Sequence, residues 1–169
     1  MQGIPDNIKL LSFAKKGLIF SQIYSVKDFP RIRNIVTNIN DKVSANLNFY
    51  LLNNKIPCIE GHVELEAVLD CQRCLEAVKL KLSPSFKLAF IIHEQQAEGL
   101  DPSFETILNT DEEFSTIEFI TDEVLISIPM IPMHSHECQS YKDKEPVIEQ
   151  KRKNPFAILE QLKNSHRSQ

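Results

Sequence analysis

Between residues 63 and 92 the hydrophobic positions recur at every second residue in three runs. In "CIEGHVELEAVLDC", Val63, Leu65, Ala67 and Leu69 alternate with His62, Glu64, Glu66 and Asp70, the period of a strand with one buried face. Beyond Cys71-Gln72-Arg73-Cys74 the alternation resumes at Val78, Leu80 and Leu82. Pro84 interrupts it, and Phe86, Leu88, Phe90 and Ile92 carry it on. Runs of this kind joined by short turns predict antiparallel strands, with "DCQRCL" at the first of the turns. Upstream, "SANLNFYLL" places Leu47, Phe49 and Leu51 on one face, and Asn53-Asn54 suits a turn because asparagine tolerates the left-handed region. "LIFSQIYSV" is a further strand, rich in β-branched and aromatic residues.

Helical spacing is confined to short pieces. Ile8 to Lys16 predicts a helix, with Leu11 and Ala14 on the face of Ile8 and Gly17 as its stop. Lys27 to Arg33 predicts a turn of helix broken near Pro30. Residues 93–116 are acidic and loop-like. "EFITDEVLISI" predicts a helix with Thr121 or Asp122 early, Val124, Leu125 and Ile128 as its apolar stripe, and Pro129 as its end. "NPFAILEQLKN" is a compact helix signal, with Asn154 as N-cap, Pro155 at the first helical position, and Phe156, Leu159 and Leu162 at helical spacing. Such a helix is marginal alone in water, so it docks either on its own domain or in a partner's groove. The fold class expected is α+β: an antiparallel sheet of about four to six strands, a few short flanking helices and a mobile C-terminal tail. The organisation expected is one domain over residues 1–138, a polar flexible linker over 139–153, and a short helix and tail over 154–169.

Composition narrows the function classes. No run of about eighteen apolar residues is present, so no membrane helix and no membrane partner is expected. The opening "MQGIPDNIKLLSFAKKG" does not read as a secretory signal, which makes the cytoplasm the expected location. There, four cysteines are reduced thiols or metal ligands rather than a disulfide framework. The net charge is −4, but it is unevenly spread. Residues 94–141 hold eleven Asp or Glu and no Lys or Arg, leaving all 19 basic side chains and twelve of the 23 acidic ones elsewhere. Two readings stay open: a solvated acidic face, or a face that attracts a basic partner while basic ends touch phosphate.

The cysteines carry the sharpest chemistry. Cys71 and Cys74 have the C-x₂-C spacing of half a tetrahedral zinc site. Cys138 and one of the late histidines, His134 or His136, would complete it; the set taken is Cys71, Cys74, His136 and Cys138. A reactive dithiol is the competing use, although a thiol lowered by a helix N-terminus needs a helix that these strand flanks do not supply. The late histidines and cysteine are equally readable as polar loop residues, and Cys58 as a small core or edge residue. The nucleophile-elbow, P-loop, dinucleotide and zinc-protease patterns are all missing, so no catalytic residue is assigned and no small-molecule substrate is expected.

Three blocks together carry a resemblance: "DCQRCLEAV", "TDEVLISIPMIPMHSHEC" and "NPFAILEQLK", preceded by "DFPRI". In order and spacing they are similar to the YceD-like family, the large ribosomal RNA subunit accumulation proteins. The resemblance implies a non-enzymatic factor on which large-subunit ribosomal RNA accumulation depends. Its characteristic positions fall on Cys71, Arg73, Cys74, Pro129, Pro132, His134, Cys138, Asn154, Pro155 and Phe156. Some relatives carry a fuller late cysteine cluster resembling a metal site, from which this chain departs in having only Cys138 after "MHSHE". Required cofactors are none, with zinc the one the residues would accept. The partner expected is a ribosomal protein or large-subunit ribosomal RNA. Asp111, Glu112 and Glu113 would attract a basic protein, Lys151, Arg152 and Lys153 would meet phosphate, Arg73 would reach an RNA backbone or a carboxylate, and Phe156 of the terminal helix would contact the partner. The alternative is a thiol-based module, either zinc-stabilised or dithiol redox.

Overall fold

The computed structural model describes residues 3–36, 38–39, 42–108 and 113–138. Among them nine strands and three α-helices form an α+β fold. The strands are β1 (Asn7–Ile8), β2 (Ile19–Tyr24), β3 (Asn38–Ile39), β4 (Val43–Leu52), β5 (Ile56–Asp70), β6 (Ala77–Leu82), β7 (Ser85–Ile91), β8 (Glu105–Leu108) and β9 (Phe114–Ser115). The helices are α1 (Leu10–Lys16), α2 (Pro30–Arg33) and α3 (Thr116–Ser127). None is long and apolar enough to cross a membrane.

β5 organises the sheet. Its fifteen residues span about 50 Å at the rise of an extended chain, too long for any single neighbour to cover. Its first part lies between β4, with Phe49 opposite Ile59, and β7, with Phe86 opposite Gly61. Its last part pairs with β6, Asp70 opposite Ala77, and with β3 through Ala67 and Val68. The β5–β6 hairpin therefore carries its tip, residues 71–76, beyond the span that β4 and β7 cover. Asn53 and Asn54 make the β4–β5 turn in the left-handed region, at φ 51° and 57°, as their side chains permit. The full order is β2-β4-β5-β7-β8, with β3 and β6 also on β5.

One face of the sheet is buried. Phe49, Ile59, Val63 and Leu88 of the sheet are buried in one continuous core with Ile120 and Val124 of α3. Phe13 of α1 closes on Phe20 and Phe49, with ring centroids 5.4 Å from each. Gly61 is a glycine because the Phe86 ring crosses its backbone: an added Cβ would fall 2.2 Å from Cζ of that ring.

Several expectations change on contact with the structure. Ile8 belongs to β1 rather than to the first helix, whose buried residues are Leu10 and Ala14; Leu11 is half exposed. The break expected near Pro30 falls at Phe29, between a 3₁₀ turn at Val26–Asp28 and α2, which Pro30 opens because a proline costs no hydrogen bond at the first helical position. The acidic stretch taken as a loop contains β8, which runs parallel to β7 on the sheet edge, and β9, which pairs with β1. α3 begins at Thr116 under a Ser115 cap that accepts from the Glu118 amide. Thr121 is consequently buried in mid-helix, and its hydroxyl donates to the Ile117 carbonyl at 2.6 Å. The helix stops at Ser127, one residue before the pre-proline position, where the ring of Pro129 disfavours helix. The linker over 139–153 and the helix expected over 154–169 lie outside the described residues.

Candidate metal centre

The tip of the β5–β6 hairpin is a tight cysteine turn. The Cys71 amide donates to the Glu76 carbonyl and the Leu75 amide to the Cys71 carbonyl, both at 2.8 Å. Where the chain reverses, Leu75 takes φ 62°, a left-handed conformation that costs a non-glycine residue energy. This geometry turns the side chains of Cys71 and Cys74 to the same side.

Residues 129–138 run back onto that tip. The Gln72 amide donates to the carbonyl of Pro132, a buried residue, at 2.8 Å. Arg73 donates from Nε to Cys138 Sγ at 2.9 Å and from Nη2 to the His136 carbonyl. Nε2 of His134 lies 3.2 Å from the Ala77 carbonyl. A carbonyl only accepts, so Nε2 carries the hydrogen and Nδ1 presents a lone pair. That lone pair faces Cys74 Sγ at 3.5 Å, and Cys71 Sγ lies 3.7 Å from Cys138 Sγ. The four donor atoms of Cys71, Cys74, His134 and Cys138 all lie within 4.8 Å of one another.

The histidine in this group is His134 and not His136, the one taken in the expected set. His136 gives Arg73 its backbone carbonyl, and its ring packs against that of His134, centroids 4.8 Å apart. Nothing in the sequence separates the two histidines. The selection is made by the Pro132 bond to Gln72, which fixes where the returning chain begins.

Crowding sets the proton affinities. Burial raises the Cys71 thiol, but the backbone amides of Arg73, Cys74 and His134 outweigh it and bring the thiol down to about 5. The Glu76 amide lowers Cys74, yet burial and the neighbouring sulfurs of Cys138 and Cys71 push it up to about 11. His134 is raised, chiefly by Cys138. The Arg73 guanidinium is the fixed positive charge beside this cluster.

The remaining predicted site residues are scattered. Glu113 is exposed, with Lys9 Nζ 4.0 Å away. Arg73 is half-buried and engaged within the chain rather than free at a turn. Asp111, Glu112, Lys151, Arg152, Lys153, Asn154, Pro155 and Phe156 lie outside the described residues. Within the acidic stretch, Glu118 and Asp122 are taken up by Arg31 of α2, at 2.9 and 2.7 Å. Among the described residues Glu94, Glu98, Asp101 and Glu105, on and before the β8 edge, carry exposed charge, as do Glu113 and Glu137. His62 lies on the open face of the sheet between Ser85 Oγ, at 2.8 Å, and Glu64. Cys58 is fully buried on β5, and burial raises its thiol.

These features define a small α+β protein with a cysteine–histidine knot at the tip of its long hairpin. The chain belongs to the family described as large ribosomal RNA subunit accumulation protein YceD, which matches it over residues 59–163. It is 29% identical over 167 residues to the large ribosomal RNA subunit accumulation protein YceD of Haemophilus influenzae (strain ATCC 51907 / DSM 11121 / KW20 / Rd), covering 95% of this chain and 96% of that protein. No solved structure matches the chain. The family is named for ribosomal RNA accumulation rather than for a catalysed reaction.

Proposed function

We propose that this protein is a non-enzymatic factor that supports assembly of the large ribosomal subunit, and accumulation of its RNA, by binding a ribosomal component. The observation that carries the reading is membership of a family named for that accumulation, with a match that includes the hairpin and the returning loop.

The direct partner favoured by the charge distribution is a basic ribosomal protein. The carboxylates of Glu94, Glu98, Asp101 and Glu105 are exposed and lie in a stretch with no lysine or arginine. Such a field repels a phosphate backbone and attracts lysine- and arginine-rich surfaces, chiefly by raising the association rate. Beyond the knot, Met130, Ile131 and Met133 are 98%, 63% and 49% exposed, an apolar edge of the kind that gives a charge-steered encounter its short-range hold.

The test is a pull-down of the full chain from lysate with and without ribonuclease, at low and high salt. A ribosomal protein retained after ribonuclease and released by salt is the expected result. Loss of all ribosomal material on ribonuclease treatment would make RNA the direct partner instead. Recovery of no ribosomal component under any condition would overturn the reading.

A further inference from the structure

We propose that Cys71, Cys74, Cys138 and Nδ1 of His134 bind one zinc ion, which pins residues 132–138 to the tip of the β5–β6 hairpin. The proposal goes beyond the assembly reading and stands whatever the chain binds.

Two separations among the donor atoms match those of a coordination tetrahedron, and all four atoms lie within 4.8 Å of one another. Zinc lies about 2.3 Å from sulfur and about 2.0–2.1 Å from nitrogen. Tetrahedral angles then separate two sulfurs by about 3.8 Å, and a sulfur from a nitrogen by about 3.5 Å. The observed separations are 3.7 Å between Cys71 Sγ and Cys138 Sγ and 3.5 Å between Cys74 Sγ and His134 Nδ1. Thiols held only by packing have no reason to collect at those distances around a lone pair. Four protein ligands leave no open position, which marks the site as structural rather than catalytic.

The surroundings are those a zinc ligand set requires. The Ala77 carbonyl fixes the tautomer of His134 that exposes Nδ1, the usual device for orienting a ligating imidazole. Three thiolates and a neutral imidazole around a divalent cation leave one net negative charge, and Arg73 sets its guanidinium against Cys138 Sγ to offset it. The left-handed Leu75 gives the turn the shape that aims both sulfurs inward, and a metal holding both ends of the turn compensates that strain. A dithiol exchanger would use two of these sulfurs and leave the third thiol and the imidazole without a purpose.

Full-length protein, purified with a thiol-free reductant and no chelator, should contain about one zinc per chain by mass spectrometry of the elements. Cobalt(II) in place of zinc should give tetrahedral ligand-field bands and a sulfur-to-cobalt charge-transfer band. Changing His136→Ala should leave metal content and spectrum unaltered. Changing His134→Ala or Cys138→Ser should lower metal affinity at least tenfold. His134→Cys, which restores a fourth donor, should retain the metal and strengthen the charge-transfer band, and so separates loss of a ligand from loss of the fold. Three results would each overturn the proposal: folded wild-type protein free of zinc and without a cobalt spectrum; a Cys71–Cys138 disulfide as the main form before any reductant is added; or metal lost in His136→Ala and kept in His134→Ala.

Discussion

Arg73 and Cys138, sixty-five positions apart in sequence, meet at 2.9 Å, with the arginine Nε donating to the sulfur while Nη2 reaches the His136 carbonyl. Two bonds from one planar fork tie the hairpin tip to the returning loop. Lysine keeps the charge but has no rigid fork to divide between the two acceptors. Both Arg73→Ala and Arg73→Lys are therefore expected to loosen residues 133–138, with the lysine variant closer to the alanine variant than to the parent. Limited proteolysis followed by mass spectrometry checks this. Cleavage in that segment should quicken in both variants while circular dichroism is unchanged, and a lysine variant as resistant as the parent would remove the fork from the account.

Leu75 supplies a second test at the same turn. At φ 62° and with its side chain half exposed, it bears a backbone cost. A β-branched residue suffers most there, and glycine suffers no steric penalty. Leu75→Val is expected to destabilise the protein by about 1–2 kcal/mol relative to Leu75→Gly. Leu75→Gly itself should lie close to the parent, because the freedom glycine gains in the unfolded chain offsets its relief in the folded one. Denaturant titration of the three proteins decides it, and equal midpoints for the valine and glycine variants would mean that the turn relaxes.

Gly61 sits in the longest strand at the crossing of Phe86. An alanine Cβ would lie 2.2 Å and 2.3 Å from two atoms of that ring and 3.0 Å from Leu47 Cδ2. The ring is packed in turn on Phe119, centroids 5.6 Å apart, so it cannot swing away freely. Gly61→Ala should cost about 1–3 kcal/mol by overpacking. Adding Phe86→Leu should recover part of that loss, giving a coupling that a double-mutant cycle of thermal or denaturant unfolding reads directly. Additive losses would show that the strand adapts without the ring.

The central strands were legible because each has one buried face, and burial forces a period of two upon the sequence. Val63, Leu65, Ala67 and Leu69 all prove to be buried. β8 was not legible for the converse reason: Glu105 to Leu108 is four residues on an edge, mostly exposed, and so carries no alternation. The start of α3 was missed because Ser115 and Thr116 look like loop residues until the first serves as a cap and the second is pinned by its hydroxyl to the Pro5 carbonyl. At the site, the C-x₂-C pair and Cys138 could be read from spacing. The choice of His134 could not, nor could the inward engagement of Arg73, since both depend on a backbone bond between Gln72 and Pro132 that no local pattern announces.

Glu123 of α3 yields a prediction about pH. It is half-buried, and burial, followed by the negative charges of Glu105 and Asp122, raises its carboxyl from the ordinary 4.5 to about 7. Between pH 4.5 and 7 the folded state then binds more proton at this site than the unfolded chain does. Stability contributed by the protonated form is full below about pH 4.5 and is lost as pH rises through 7. Partial exposure screens the effect, so the expected loss is on the order of 1 kcal/mol rather than the full value of the shift. Glu123→Gln, which keeps the shape and cannot ionise, should match the parent near pH 4.5 and exceed it at pH 8. Urea midpoints at the two pH values test it. An advantage for the glutamine variant that is the same at both would assign the gain to packing and not to the charge.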